Sequence, residues 1–481
     1  MSAHRGTAAL AALALVTGCS VGPDYRAPKP TMPATYSAAA KTNGLTNDPS
    51  ARLENWWTVF HDNQLSTLIR TAQESNLDLR SAAARVREAR ALQGITRAPW
   101  YPQVGATGDY ARARVSKNSL LGGQLAVQNR PLQNNLFDAA LDMNWELDVF
   151  GGTRRAVEAA GAEFDAARES AQAVMVTMLA EVGLTYLDLR GAQQEIMLTQ
   201  ENLQTQQDTL ALTKDRFHSG LAGEPDVARA TEDVAATRAR IPPLEEAAER
   251  ARNRLAVLLG KNPGELAAPL GESAPIPAAA PRVPLGIPAD LLRQRPDIRR
   301  AERQIAAANA QVGVATADWF PKFYLTGAAG LQSVEASDFL GGSSRYWSLG
   351  PSIRWPVFAG GRIRQNIRVQ NTRQEQAALA YEQVVLTALE EVQNALVAFG
   401  QEQQRHAALA EAVTASRRSF ALAQDRYRAG LVDFLVVLEA QRSLLVTQDQ
   451  MVQSERQLSQ NLIRVYKSLG GGWQPTQIAS R

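Results

Sequence analysis

The stretch that decides the fold is Phe420-Ala-Leu-Ala-Gln-Asp-Arg-Tyr-Arg-Ala-Gly430-Leu-Val-Asp-Phe-Leu-Val-Val-Leu438. It predicts the end of one long helix, a tight turn at Gly430 and the start of a helix running back, because glycine tolerates the left-handed conformation in which many helices end. The stretch Leu210-Ala-Leu-Thr-Lys-Asp-Arg-Phe-His-Ser-Gly220-Leu221 repeats this pattern at an offset of 210 residues. The offset persists to Leu259-Gly260 and Leu469-Gly470, so the sequence predicts an internal duplication.

The duplication extends to the segments in front of these turns, at an offset of 219 residues. Asp297-Ile-Arg299 repeats Asp78-Leu-Arg80, and Trp319-Phe-Pro321 repeats Trp100-Tyr-Pro102. The duplication therefore covers nearly the whole chain.

Each repeat is predicted to hold one long helix and two of about half its length. The long helices, about 152–219 and 362–429, would each span roughly 100 Å at 1.5 Å per residue. Pro242-Pro243 should interrupt the first returning helix, since proline removes a donor and clashes with the preceding turn. The shorter helices are about 63–97, 225–259, 289–317 and 433–469.

A seven-residue apolar pattern runs along both long helices, which is typical of helices packed lengthwise as coiled coil. His406 is the one polar member, and we interpret it as a tolerated seam residue because no His or Cys lies near it in sequence. The pattern comprises Met175, Val182, Leu189, Ile196, Leu203, Leu210 and Phe217, then Val385, Val392, Phe399, His406, Val413, Phe420 and Tyr427.

In front of each long helix the apolar period changes to two, which indicates β-strands. Four strands are predicted, about 103–115, 137–149, 323–331 and 347–357, each long enough to cross a bilayer when tilted. Open sheet edges do not persist in lipid and four strands are too few to close a barrel, so a spanning barrel must be shared between subunits. The alternative is two hairpins on a soluble domain. Aromatic residues at the strand ends favour a membrane girdle: Trp100, Tyr101, Phe150, Trp319, Phe320, Trp355 and Phe358.

Composition argues against several functional classes. The net charge of +3 does not indicate nucleic-acid binding. One cysteine and four scattered histidines provide neither a disulfide framework nor a metal-ligand cluster. The sequence has no nucleophile elbow, phosphate-binding glycine loop or metal-ligand spacing, so we expect no enzymatic activity and no cofactor.

The N-terminus has the pattern of a secretory signal, with a basic start and an apolar core from Ala8 to Val16. Leu15-Val-Thr-Gly-Cys19 resembles the bacterial lipobox, in which the cysteine is acylated and becomes the new N-terminus. The alternative is an ordinary signal peptide with an incidental cysteine. Ser20, rather than an aspartate, follows Cys19 and favours the outer membrane. Because a single acyl chain holds a protein only marginally, further chains or another membrane element should assist.

The predicted domains are a signal peptide (1–18), a lipidated arm (19–61), a first repeat (62–261), a proline-rich linker (262–288), a second repeat (289–470) and a tail (471–481). The arm, linker and tail are poor in periodicity and rich in turn residues. We expect them to form a belt around the middle of the protein.

Six motifs along the chain occur together: Val21-Gly-Pro-Asp-Tyr25, Trp56-Trp57, Phe150-Gly-Gly152, Asp425-Arg-Tyr-Arg-Ala-Gly430, Glu439-Ala-Gln-Arg442 and Ser468-Leu-Gly-Gly-Gly-Trp473. In combination they resemble the OprM/NodT branch of the TolC-like outer membrane efflux proteins. The resemblance implies a mixed α and β membrane protein, a homotrimer with a 12-stranded β-barrel, four strands from each chain, continued by a long periplasmic α-helical barrel. It also implies a tripartite pump with a periplasmic adaptor (membrane fusion) protein and an inner-membrane transporter, usually of the RND class.

The resemblance also implies a periplasmic gate. In OprM-like channels a leucine ring and an acidic ring follow the second turn, and the Gly-x4-Leu-x3-acid spacing places them on Leu435 and Glu439. Relatives near OprM carry aspartate at the acidic site, so Glu439 departs conservatively. The two residues are four apart and share a helix face. Alternatively, Leu435 belongs to the coiled-coil core and Glu439 pairs with Arg442.

The turns at Gly220-Leu221 and Gly430-Leu431 are the predicted docking tips for the adaptor, since exposed loops commonly carry function. Turn chemistry explains the glycines but not an exposed leucine after each. The leading interpretation is a passive efflux duct for drugs or other small molecules. Two alternatives stay open: a duct for type I protein secretion, and a periplasmic coiled-coil lipoprotein without a pore. The lipobox and the Val21–Tyr25 arm favour efflux, and the four amphipathic strands argue against a protein without a pore.

Overall fold

The computed structural model describes residues 20–37, 45–46, 53–278, 283–284 and 288–473. The chain divides into two compact units. The strand-bearing unit comprises Met1–Pro28, Arg87–Ala166 and Ala301–Ala380. The turn-bearing unit comprises Lys29–Val86, Ala167–Arg300 and Tyr381–Arg481.

The regular elements of the described residues follow the predicted order. The strands are β1 (Leu45–Thr46), β2 (Gln103–Arg114), β3 (Gln133–Leu147), β4 (Val283–Pro284), β5 (Lys322–Ser333) and β6 (Arg345–Arg354). The helices are α1 (Asn63–Ser75), α2 (Leu77–Arg97), α3 (Leu120–Val127), α4 (Gly152–His218), α5 (Glu224–Ala239), α6 (Ile241–Leu258), α7 (Leu291–Gln294), α8 (Pro296–Ala317), α9 (Arg362–Arg428) and α10 (Phe434–Ser468).

The four predicted strands are confirmed, and they form one antiparallel sheet in the order β2-β3-β5-β6. The two hairpins join through β3 and β5, where Leu141 lies opposite Ala329. The connection between β2 and β3 contains the short helix α3. Its residues are apolar without the amphipathic spacing by which a surface helix is recognised in a sequence.

Both long helices are confirmed, and α4 and α9 contain 67 residues each. The carboxylate of Asp148 accepts hydrogen bonds from the backbone N–H groups of Thr153 and Arg154, at 3.0 and 2.8 Å, which satisfies unpaired donors in the first turn of α4. Among the described residues, α4 alone contains an 18-residue stretch apolar enough to cross a membrane, but 61% of that stretch is buried.

The opening helices were expected to be continuous, and this prediction is wrong in both halves. The first helix breaks at Asn76 and the second at Arg295, where the backbone is extended with ψ of 129° and 119°. The side-chain carbonyl oxygen of Asn76 accepts the N–H groups of Asp78 and Leu79 and so starts α2. Arg295 precedes Pro296, and a residue before proline is sterically disfavoured in the helical conformation.

The predicted interruption of the first returning helix is confirmed. The helix breaks at Arg240, between α5 and α6, and Pro242-Pro243 lies in the first turn of α6. The first turn of a helix tolerates proline, because the N–H groups there have no intrahelical acceptor. The returning helix of the second half, α10, is continuous over 35 residues.

The heptad prediction holds better for α9 than for α4. In α9 the members Val392, Phe399, Val413 and Tyr427 are buried. In α4, Val182 and Leu189 are buried, but Phe217 is 42% exposed. The polar heptad Thr199, Gln206 and Thr213 is buried instead. The two threonine hydroxyls donate to carbonyls four residues earlier, at 2.7 and 2.8 Å, so they tolerate burial without an external partner.

The later part of the N-terminal arm packs within the turn-bearing unit. Trp56, 1% exposed, stacks on Tyr466 with ring centroids 6.1 Å apart. Two of the segments predicted for the belt also meet, because β1 of the arm pairs in parallel with β4 of the linker. In the tail, the indole N–H of Trp473 donates to the carbonyl of Gln294 at 3.0 Å.

Candidate channel site: the helical turns and the two sheet faces

The two turns have the same backbone geometry. Gly220 and Gly430 both have φ of 73°, and a 6→1 hydrogen bond closes each turn. The N–H of Leu221 donates to Arg216 at 2.7 Å, and that of Leu431 donates to Arg426 at 2.9 Å. Leu221 is 67% exposed and Leu431 74% exposed. The glycines are therefore explained by the turn, and the exposed leucines are not.

A buried apolar cluster lies beneath the turns and joins the two helical hairpins. It combines residues of α5, α9 and α10 with partly buried residues at the end of α4. The two tips therefore belong to one packed structure. Its buried members are Ala230, Ala423, Tyr427, Phe434, Val437 and Leu438.

A cation–π contact, absent from the sequence-based site, links the ends of α4 and α9. The guanidinium of Arg216 lies over the ring of Tyr427, 4.6 Å from its centroid, and donates to the Tyr427 carbonyl at 2.8 Å. Its sequence signal is slight, since Arg216 and Tyr427 appear only as members of the repeated turn motif. The contact holds the two chain reversals together.

The predicted gate residues lie on the exposed surface at the start of α10. Leu435 is 47% exposed and Glu439 is exposed. Leu435 is thus outside the buried core of the single chain, and the gate stays a prediction. Arg442 donates to Asp233 on α5 at 2.8 Å, and this hydrogen bond and the carboxylate charge raise the pKa of Arg442. Among the described residues, Glu439 forms no ion pair.

The register separates the four-stranded sheet into two chemically different faces, because directly paired residues share a face. The apolar face is exposed on the edge strands and half-exposed over most of the two central strands. It includes Val104, Tyr110, Leu141, Trp347, Leu349 and Ile353, which are 57–80% exposed. The opposite face includes every carboxylate of these strands: Asp109, Asp138, Asp142 and Glu146.

Tryptophans mark the end of the sheet that leads into the helices. The indole N–H of Trp145 donates to the carbonyl of Trp100 at 3.1 Å. In the second half, Trp355 donates to Trp319 at 3.2 Å. An apolar ring with a satisfied N–H suits the boundary between apolar and aqueous surroundings, as the predicted girdle requires.

Cys19 lies outside the described residues. The residues that follow it are held against the start of α4. The backbone N–H of Val21 donates to the Phe150 carbonyl at 3.2 Å, and the buried Arg155 donates to the Asp24 carboxylate at 2.9 Å. The arm is thus attached at the helix-connected end of the sheet.

The sheet has an exposed apolar face, and the two helical turns pack together. This combination is characteristic of one class of membrane channel. The family model described as outer membrane efflux protein matches residues 68–261 and 287–471, and the chain belongs to this family.

Similar proteins support the family over almost the whole length. Nodulation protein T of Rhizobium leguminosarum bv. trifolii is 32% identical over 465 residues, which cover 97% of either chain. A toluene efflux pump outer membrane protein of Pseudomonas putida, TtgF, is 34% identical over 465 residues, 95% of either chain. The outer-membrane channel OprN has a TM-score of 0.88 and 39% identity, covering 95% of this chain and 100% of that chain.

The open state of the Neisseria gonorrhoeae MtrE outer membrane channel is also similar, with a TM-score of 0.79 and 29% identity over 94% of this chain and 98% of that chain. The resemblance to the OprM/NodT branch is thereby confirmed. The fold is that of the TolC-like channels, and the protein is an outer membrane efflux channel that extends into the periplasm.

Proposed function

We propose that three copies of this chain form the gated outer membrane duct of a tripartite efflux pump. The observation that carries this proposal is the four-stranded sheet with an exposed apolar face and two unpaired edges, β2 and β6. Unpaired strand edges are not tolerated in lipid. Three such sheets joined edge to edge would close a 12-stranded barrel and pair every strand.

Matched contacts in the two halves support the proposed duplication. The turns at Gly220 and Gly430, the tryptophan pairs and the helix breaks at Asn76 and Arg295 all recur at corresponding positions. The domain boundaries expected from the sequence follow from this duplication. The arm–linker pairing of β1 with β4 supports the proposed belt.

The proposed trimer is tested by light scattering or native mass spectrometry of the detergent-extracted protein. Three subunits per particle are expected, and a folded monomer would refute the proposal. Export is tested by deleting the gene and measuring the accumulation of small toxic compounds in cells. Efflux proteins named for toluene, antibiotics and solvents are among the relatives, which supports small molecules over secreted proteins as cargo.

Leu435 and Glu439 are the proposed periplasmic gate. Both are exposed on one face of α10, directly after the second turn. Three-fold symmetry would bring three leucines and three carboxylates towards one axis. The three leucines would form a dewetted constriction. The three carboxylates would repel one another, so the ring that they form would close more readily when it is protonated or bridged by cations. The Arg442–Asp233 contact must shift if α10 moves against α5 during opening.

The gate is tested by combining Leu435→Ala with Glu439→Ala. We expect a higher single-channel conductance in planar bilayers and sensitivity of cells to large antibiotics such as vancomycin. Val446→Ala removes a similarly exposed apolar residue, 54% exposed, from the same helix and serves as the control. Wild-type conductance in the double variant would place the gate elsewhere.

The tips are proposed to bind a periplasmic adaptor that connects the duct to an inner-membrane transporter, for which the RND class is the expectation. Leu221→Asp with Leu431→Asp should abolish drug resistance while trimers accumulate normally. Leu422→Asp, at a residue of α9 that is 54% exposed and away from the turns, is the matched control. Unchanged resistance in the double variant would argue against tip docking.

Cys19 is the proposed lipidation site. The arm after it is fixed at the helix-connected end of the sheet, which is where an acyl chain could reach the inner leaflet of the outer membrane. Palmitate should label the wild type and not Cys19→Ala. Labelling of the variant would exclude Cys19 as the site. The variant should retain much of its export activity, because the barrel also anchors the protein.

A further inference from the structure

The apolar face of the sheet ends in arginines on the side away from the helices. Strand alternation places Arg112 and Arg114 on the same face as Tyr110, and Arg345 on the same face as Trp347. All three arginines are exposed. Arg114 ends β2 and Arg345 begins β6, so the loops next to these residues lie at the same end of the sheet. These loops face the exterior, because the other end of the sheet leads into the periplasmic helices.

Aromatic residues fix the depth of these arginines in the membrane. The ring centroids of Phe137 and Tyr110 are 4.9 Å apart, and both residues lie near the loop ends of their strands, Tyr110 before the β2–β3 connection and Phe137 after it. Trp145 is eight residues further along β3, or roughly 27 Å at about 3.4 Å per residue. With strands tilted by about 40°, the two aromatic levels are roughly 20 Å apart in height, close to the thickness of the apolar band of outer-membrane barrels. Arg112 and Arg114 therefore lie just beyond the outer aromatic level, where lipid headgroups begin, and Arg345 is the first residue of β6 at the same end of the sheet.

No carboxylate of the strands shares this face. Asp109, Asp138 and Asp142 all project from the opposite face, where Asp138 accepts a hydrogen bond from Gln332 at 2.9 Å. Among the described residues, Arg112, Arg114 and Arg345 form no ion pair. Three cations at the membrane boundary are thus left without a counter-charge from the sheet.

Closure of the barrel would concentrate these charges. Arg112 and Arg114 lie on edge strand β2, and Arg345 lies on the other edge strand, β6. If β6 pairs with β2 of the next subunit, the three arginines converge at one strand junction, at neighbour distances of about 5 Å between strands. This step rests on the proposed trimer. Like charges so close need an anion between them.

We propose that Arg112 and Arg114 of one subunit and Arg345 of its neighbour bind the phosphate groups of a glycolipid headgroup in the outer leaflet. The planar guanidinium holds two phosphate oxygens at once, and the aliphatic part of each side chain lies along the apolar face. The lipid's acyl chains would lie against the apolar sheet face beneath. Each trimer carries three such sites, one at every subunit junction.

Native mass spectrometry of the full detergent-solubilised protein tests this site, with bisphosphorylated lipid A as the probe and its monophosphorylated form for comparison. The wild type should bind up to three molecules per trimer and should prefer the bisphosphorylated form. A basic residue near an anionic surface contributes about fivefold in affinity, so Arg112→Gln, Arg114→Gln and Arg345→Gln together should weaken binding by about 100-fold. The three Arg→Lys substitutions should restore only part of the binding, because lysine keeps the charge but cannot hold two phosphate oxygens at once.

Arg354→Gln is the matched control, because Arg354 lies on β6 but on the opposite face and at the other end. It should leave binding unchanged. Binding by the triple Gln variant within threefold of wild type, or an equal loss in Arg354→Gln, overturns the proposal. If the triple variant fails to assemble, Arg345→Gln alone should still weaken binding about fivefold. The same spectra count subunits, so a wild-type trimer without phosphate preference refutes this site alone, and a wild-type monomer refutes the proposed trimer.

Discussion

The side chains at the two helix breaks, Asn76 and Arg295, both donate a hydrogen bond to the end of a returning helix, but one side chain is neutral and the other is charged. At the first, the buried Asn76 amide donates to the Leu258 carbonyl at 2.8 Å, at the end of the returning helix α6. At the second, the buried Arg295 guanidinium donates to the Ser468 carbonyl at 2.8 Å, at the end of α10. Both contacts satisfy a carbonyl in the last turn of a helix, where no intrahelical donor remains.

The two side chains differ in the partners that they need when they are buried. The Asn76 amide is neutral, and the N–H groups of Asp78 and Leu79 satisfy its oxygen. A buried guanidinium needs counter-charges, and Arg295 pairs with Asp297 at 2.6 Å and Glu391 at 2.7 Å. The second half therefore depends on an ionic network where the first half depends on neutral hydrogen bonds.

The largest effect is expected from Arg295→Met. The substitution leaves Asp297 without its counter-charge and Ser468 without its donor, and breaking a buried pair destabilises by about 3–5 kcal/mol. Chemical denaturation of the detergent-solubilised protein, followed by helical circular dichroism, measures this loss. Arg293→Met, at the exposed arginine two residues earlier, is the control and should change stability by less than about 0.5 kcal/mol. Equal effects of the two substitutions would show that the ionic network contributes nothing.

Asn76→Ala should have a smaller effect. The change leaves the buried Leu258 carbonyl unpaired and removes the acceptor for two N–H groups, which corresponds to about 2 kcal/mol. The same denaturation experiment measures it at neutral pH and at pH 4. Since Asn76 does not titrate, the difference from wild type should be the same at both pH values. A difference that changes with pH would contradict the distinction between the two breaks.

Acid should destabilise the ionic contacts of Arg295 but not the neutral hydrogen bonds of Asn76. Burial alone would raise the pKa of Asp297, but the hydrogen bonds and charge of Arg295 lower it below the ordinary aspartate value. A lowered pKa stabilises the fold above the unfolded-state pKa, about 3.9, and this stabilisation is lost as pH falls through the folded-state pKa. Asp297→Asn should therefore lose less stability than wild type between pH 5 and pH 3. Parallel pH profiles would contradict the role of Asp297.

The smallest effects should come from contacts that the two halves share. Trp145→Phe and Trp355→Phe each remove one indole hydrogen bond to a tryptophan carbonyl, and each should cost about 1 kcal/mol. Refolding equilibria in lipid vesicles, followed by tryptophan fluorescence, measure both. Because the contacts are the same, a difference of more than about 1 kcal/mol between the two variants would show that the halves are energetically unlike here as well.

Local patterns account for what the sequence could predict. Gly220 and Gly430 indicate the reversals because few other residues adopt their conformation, and period-two alternation locates the four strands. Pro242-Pro243 likewise marks the break in the first returning helix. These signals all act within a few residues of the feature they specify.

Several of the features missed by the sequence analysis depend on distant partners. The break at Asn76 is stabilised by Leu258, 182 residues away, and the contact of Arg216 with Tyr427 spans 211 residues. The buried face of α4 was misassigned because Thr199 and Thr213 satisfy their own hydroxyls and pack as small side chains. At the proposed gate, the exposure of Leu435 and the Arg442–Asp233 pair depend on how α5 packs beside α10, which the sequence does not specify locally.

The stacking of Trp56 on Tyr466 constrains when this protein can fold. The two rings are more than 400 residues apart in the chain, so the Trp56 indole lacks this stacking partner until almost all of the polypeptide has crossed the inner membrane. The Arg295–Ser468 bond has the same timing. Until then the apolar surface that Tyr466 covers on Trp56 stays exposed, and transiently exposed apolar surface favours aggregation. Translocation of the last helix, rather than of the first, is therefore the step that commits the chain to its native packing.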